Sequence, residues 1–197
     1  MLALPSAAPP APKRQLFVGT ALGCVAAGAL ISAMLALWMR FRTATLQATD
    51  ALWVPRGIKV PLVPANTILL VFLPICIFAQ WSVYAARRNI RSQTAMALCL
   101  VGLLGLAVVN AQAFIYVRMK LPITGETATT AYNSMFYAIT GTYTVLVVIG
   151  IAFSAITSFR YLGGRTTDRE IVSAHALYWY FLGALYFALW FVVYVTK

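Results

Sequence analysis

The residues able to do chemistry are few, and their spacing assembles no reaction centre. The 197-residue chain has one histidine, His175, three cysteines, Cys24, Cys76 and Cys99, and four acids, Asp50, Glu126, Asp168 and Glu170. A zinc site needs several converging His, Cys or carboxylate ligands. The cysteines here lie on three separate apolar segments without motif spacing. A single histidine excludes bis-histidine haem ligation within the chain. Proton relays inside a membrane usually need Asp, Glu or His deep in the bundle, and all four acids fall between the apolar segments. No Ser-His-Asp set, phosphate loop or dinucleotide fingerprint is present. The reading is of a chain with no catalytic, metal or cofactor site of its own. His175, at the start of the last apolar segment, reads as an interfacial histidine, and the cysteines as small buried hydrophobes.

The polar side chains that enter the apolar segments are neutral: Asn110 and Gln112, then Thr140, Thr142, Tyr143 and Thr144. Between membrane helices such groups contribute well under about 1 kcal/mol on average, with a maximum near 2. They read first as packing glue. The functional reading is a polar lining that meets a lipid headgroup or a partner subunit.

These residues are held by five long apolar segments without an acid or a lysine, which settles the fold class. A span of about 20 apolar residues crosses the hydrocarbon core. Lipid offers no hydrogen-bond partners to the backbone, so such spans are helices or closed barrels. The apolar runs are continuous rather than alternating, which selects helices. The chain is 62% hydrophobic and 10% charged, with mean hydropathy +0.84, against about 25% charged in soluble domains. The expectation is an all-α integral membrane bundle of five transmembrane helices, at about 16–39, 65–86, 93–117, 131–159 and 172–195. An Ala/Pro-rich tail, 1–15, precedes one domain, 16–197. The first apolar run is too long for a signal peptide and reads as a retained helix.

Gly19, Gly23 and Ala27 stand at four-residue spacing on the first span, a stripe that permits close helix approach. Residues 40–64, with Pro55, Pro61 and Pro64, read as a stiff extended loop along the membrane surface, with Trp53 as an interface anchor. Pro74 reads as a kink in the second span. The net charge of +11 flanks the spans, where anionic lipid headgroups are the natural partners; nucleic acid is not expected. Lys13, Arg14, Arg87, Arg88, Arg91, Arg160, Arg165 and Arg169 share one side. Arg40, Arg42, Arg56, Lys59, Arg118, Lys120 and Lys197 share the other. The tight Arg87-Arg88-Arg91 loop tips the positive-inside rule toward a cytoplasmic amino terminus.

Five short segments carry a family resemblance. They are Asn66-Thr67-Ile68-Leu69-Leu70; Ala85-Ala86-Arg87-Arg88-Asn89; Gly105 with Gln112-Ala113-Phe114-Ile115-Tyr116; Phe136-Tyr137-Ala138-Ile139-Thr140-Gly141 followed by Val147-Val148-Ile149-Gly150; and Tyr178-Trp179-Tyr180-Phe181. In that order they resemble subunit III of the haem–copper oxidases, the cytochrome c and quinol oxidase family. The likeness covers about 60–195. The family's patterns are Asn-Thr-Leu-Leu-Leu, a basic helix end, Gly then Gln-x-x-Glu-Tyr, Phe-Phe-x-x-Thr-Gly then Val-Ile-Ile-Gly, and Tyr-Trp-His-Phe. Every ionisable family position that can be placed carries a neutral residue here. The third-span glutamate falls on Ile115, the fourth-span histidines on Tyr143 and Leu146, the fifth-span histidine on Tyr180 and the aspartate after it on Gly183. The first span also lacks the family's glutamate.

The resemblance implies a non-catalytic subunit of a respiratory terminal oxidase that steadies catalytic subunit I and holds phospholipid. Haem and copper are then expected in partner subunits, not in this chain. It implies a multi-pass protein of the bacterial inner (plasma) membrane. The lipid-binding candidates are Arg87, Arg88 and Arg91 for phosphate, and Gln112, Tyr116, Thr140, Tyr143, Tyr178 and Trp179 along the inner surface or cleft. The alternatives are an accessory or assembly protein of a related haem–copper enzyme, such as a nitric oxide reductase, and a small-solute transporter.

Overall fold

The computed structural model describes residues 14–48, 52–55, 57–122, 130–164 and 169–196. Most of the amino-terminal tail, with Lys13, Asp50, Arg56, Glu126, Arg165, Asp168 and Lys197, lies outside the described residues. The elements are α1 (Gln15–Gln47), α2 (Leu62–Arg87), α3 (Arg91–Met119), α4 (Ala131–Leu162) and α5 (Arg169–Leu189), the last continuing as a π-helical turn, Trp190–Val195. All five are long and apolar enough to cross a membrane. Large apolar side chains such as Val25, Leu70, Ile77, Leu103 and Phe159 cover the outside, as lipid contact requires.

The two boundaries of the connection expected at 40–64 differ from the sequence expectation. Arg40 and Arg42 do not end α1, which runs two further turns to Gln47. Charge ends a hydrocarbon span but does not break a helix. Thr43 and Thr45 donate to the carbonyls of Met39 and Phe41, at 2.9 and 2.8 Å, and the helix stops only where Ala48 turns extended. The connection therefore begins after Gln47 and not at residue 40. At its far end α2 starts at Leu62, taking in Pro64. A proline in the first turn costs no hydrogen bond, because the N–H there has no helical partner. α2 then continues through Pro74. Trp53 is not a lipid-facing anchor. It is buried at the end of the bundle against Trp38 and Tyr132, with ring centroids 4.9 and 5.5 Å away. Residues 52–55 cross that end, and the Trp53 ring packs edge-on against Trp38 and Tyr132, an arrangement aromatic rings favour.

α3 packs between α2 and α4, while α5 packs on α1, α2 and α4. α1 is the most peripheral helix and α5 the most buried. Small residues decide where these helices close up. A Cβ at Gly105 would lie 2.6 Å from Trp179 Cη2 and 2.9 Å from Ile151 Cγ1, and one at Gly150 would lie 3.1–3.2 Å from Tyr178, Leu182 and Trp179. Gly105 on α3 and Gly150 on α4 thus make the slot into which α5 inserts the Trp179 ring. The stripe on α1 behaves otherwise: a Cβ at Gly19 or Gly23 would meet nothing within 4 Å. Within the bundle those two glycines close no helix contact; on α1 it is Gly28 that meets α5, at Phe181.

Candidate functional site

The candidate residues fall into two groups, at the basic end of the bundle and in its interior. Arg87, Arg88 and Arg91 flank the α2–α3 turn, which is short for a definable reason. Ile90 N–H reaches back to Ala85 O at 3.0 Å and Asn89 N–H to Ala86 O at 3.2 Å, the paired bonds of a Schellman ending. Asn89 carries the left-handed conformation, φ 58°, which asparagine tolerates better than most residues. The three arginines are exposed. Arg88 lies over the Tyr84 ring, 4.3 Å from its centroid. Arg91 Nε donates to Tyr161 O of α4 at 3.0 Å, and Arg169 donates to Asn89 Oδ1 at 3.0 Å. Phe17 N–H donates to Glu170 at 3.0 Å. The start of α1, the α2–α3 turn, the end of α4 and the start of α5 therefore share one end.

The other six candidates lie inside the bundle. Tyr116 O–H donates to Thr140 Oγ1 at 2.9 Å, tying α3 to α4. Tyr143 O–H donates to Leu182 O at 3.0 Å, and Tyr178 O–H to Leu146 O at 2.8 Å, tying α4 and α5 in both directions. Gln112 is buried. Gln112 and Tyr143 also share a narrow crevice with Thr144 and three valines, too small to admit water. Trp179 Nε1–H lies 3.1 Å from Ser154 Oγ and 3.0 Å from His175 Nε2. The structure thus pairs Tyr116 with Thr140 and places Tyr178 beside Trp179, while the arginines stand apart at the bundle's end.

Two readings need correction. His175 is not interfacial: it is fully buried, 2.7 Å from Ser154 Oγ, with Phe153 edge-on against its ring. Its depth along α5 was legible in the chain but its facing was not, although the four-residue step to Trp179, which puts both on one side of a helix, was a usable signal. Of the three cysteines only Cys24 is buried. Cys76 is partly covered and Cys99 faces outward, its Sγ 3.2 Å from Ser158 Oγ. Among the described residues no group of three His, Cys, Asp or Glu could hold a metal ion.

A family model described as cytochrome c oxidase subunit III matches residues 14–197. The chain belongs to that family. Among curated relatives it is similar to cytochrome c oxidase subunit 3 of Drosophila yakuba, 28% identical over 80% of this chain and 61% of the relative. It is likewise similar to that of Strongylocentrotus purpuratus, 30% identical over 72% and 55%, and that of Homo sapiens, 31% identical over 72% and 54%. The chain thus spans about three-fifths or less of the length of these relatives.

Against the subunit III pattern, the neutral replacements are built into the packing. Ile115, where the family's third-span glutamate falls, is fully buried. Tyr143 spends its hydroxyl on Leu182 O, and Leu146 offers its carbonyl to Tyr178. Tyr180 donates to Gln80 Oε1 at 2.9 Å. Gly183 lets α5 approach α2, with Phe72 3.4 Å from where a Cβ would stand. Phenol hydroxyls can be satisfied by one carbonyl inside a membrane, where a carboxylate would need a charge partner.

Proposed function

We propose that this chain is a non-catalytic, subunit III-like membrane subunit of a respiratory haem–copper terminal oxidase, steadying the catalytic subunit and binding phospholipid. The observation that carries the proposal is the subunit III match along nearly the whole chain, together with five apolar spans. The interior supports it: the Tyr116–Thr140, Tyr143–Leu182, Tyr178–Leu146 and Trp179–Ser154 bonds each join one helix of this chain to another, which is how a scaffold is built. Haem and copper belong, in this reading, to partner subunits. Arg87, Arg88 and Arg91 hold lipid phosphate, as exposed arginines beside apolar spans do. Gln112, Tyr116, Thr140, Tyr143, Tyr178 and Trp179 serve the same surface from behind, fixing the helix faces against which lipid packs. The proposed location is the bacterial inner membrane, with the amino-terminal end cytoplasmic, supported by the dense arginine turn at that end.

Purification of a tagged chain in mild detergent, with a reduced-minus-oxidised spectrum and mass spectrometry on one sample, tests the proposal. Haem absorbance with catalytic subunits at equal stoichiometry is expected. A colourless, solitary protein overturns it in favour of an assembly factor or transporter. Unchanged anionic lipid in complexes carrying Arg87→Ala and Arg88→Ala rejects the phosphate role alone.

A further inference from the structure

On the outer surface between α3 and α4 there is a groove of about 370 Å³. Leu98, Gly102, Leu103 and Leu106 line it from α3, and Ile151 and Ala155 from α4. At 1.5 Å per residue its α3 wall is about 12 Å long. Ser154 and Ser158, one turn apart, line the groove along with Cys99, and behind Ser154 stand His175 and Trp179.

One end of the groove is marked by charge. Phe159 and Leu162 line it where α4 finishes, and between them Tyr161 O holds Arg91 Nε at 3.0 Å. That bond draws the Arg91 guanidinium across from α3 to the groove's end. Its Nη groups make no bond among the described residues. Arg87, Arg88 and Arg169 stand at the same end, and Glu170, the one described acid there, is engaged by Phe17 N–H. An aliphatic channel closing on an arginine fork is complementary to an acyl chain leading to a phosphate. A transmembrane helix about 10 Å across is too wide for a channel of this volume.

We propose that the α3/α4 groove seats one acyl chain of an anionic diacyl phospholipid whose phosphate is held by Arg91. The proposal rests on the lipid-binding part of the function proposed above and assigns it a place. The groove wall is almost wholly apolar, because the Ser154 and Ser158 hydroxyls are buried and engaged by His175 and Cys99, and Gly102 supplies the clearance. A Cβ at Gly102 meets Ser154 Cβ at an ordinary 3.5 Å, so a larger side chain there grows into the groove rather than into backbone. Ala155 is exposed, so enlarging it leaves the core untouched.

The test is photo-crosslinking of the full-length protein, in its native complex, in nanodiscs of phosphatidylcholine with phosphatidylglycerol. The probe is a phosphatidylglycerol bearing a diazirine on one acyl chain, and labelled peptides are mapped by mass spectrometry. Label is expected several-fold enriched on 98–106 and 151–162 over the lipid-facing residues of α2. Gly102→Leu and, independently, Ala155→Leu are expected to remove that enrichment. Arg91→Gln is expected to remove most of that enrichment, through the loss of one charge-assisted contact, with a smaller change for a phosphatidylcholine probe. Label enriched elsewhere, on α1 for example, overturns the groove and leaves lipid binding standing. Label with no enrichment anywhere overturns both. A groove labelled in the isolated chain but silent in the complex overturns the proposal in favour of a partner subunit.

Discussion

Gly105 and Gly150 are the same residue type as Gly19 and Gly23, on helices of the same character, and their surroundings are opposite. A Cβ at Gly105 would collide with Trp179 and one at Gly150 would press on Tyr178, Leu182 and Trp179, while a Cβ at Gly19 or Gly23 would meet nothing within 4 Å. The first pair makes a slot that joins α3, α4 and α5; the second lies on the exposed face of the most peripheral helix. Small-residue spacing alone therefore says that close approach is allowed, not that it happens. What distinguishes the two is whether a neighbouring helix has something to insert. α5 inserts an indole whose N–H finds Ser154 and His175, so the slot has both a shape and a polar partner.

The contrast can be broken most severely at the slot. Gly105→Leu is expected to abolish the folded bundle, and Gly105→Ala to destabilise it by about 1–3 kcal/mol through overpacking, read by circular dichroism during denaturing-detergent titration. If Gly105→Ala is harmless, the slot is not what joins the three helices. Trp179→Phe is expected to cost about 1–3 kcal/mol, because the buried Ser154 and His175 lose a donor. The smaller ring is also expected to relieve Gly105→Ala, so the double variant should be less destabilised than the sum of the singles. Tyr143→Phe, which removes one tie between α4 and α5, is expected to cost about 0.6 kcal/mol. Gly19→Ala is expected to change stability by less than about 0.5 kcal/mol. A larger loss there would show that the stripe on α1 has a partner within the chain, and the comparison would fail at its other end.

The arginine end and the interior also differ in how legible they were. Arg87, Arg88 and Arg91 were placed correctly at a tight turn by their position between two apolar runs, and the Schellman ending explains why so few residues suffice. The interior candidates were chosen as polar residues within spans, and the structure gives each of Tyr116, Thr140, Tyr143, Tyr178 and Trp179 a specific bond. His175 was misread because its distance from the helix start was taken as its environment. Trp53 was misread because a tryptophan beside prolines suits the interface as well as a bundle end. Ser154, which meets both His175 and Trp179, gave no sign in the chain: a lone serine in an apolar run usually bonds its own backbone, as this one also does, to Gly150 O at 3.0 Å.

The amino-acid sequence by itself determined five membrane-crossing helices, their order, the basic turn between the second and third, and the subunit III kinship. Those follow from one-dimensional quantities: the length of an apolar run, the position of charges, the order of short motifs. Only the tertiary structure decided which face of each helix is inside. Helices of this chain are apolar nearly all round, because lipid and core are equally oily, so no polar face announces the exterior. Facing was set instead by fit. Trp179 enters the slot between Gly105 and Gly150, His175 turns inward to Ser154, and the glycines of α1 are left looking out.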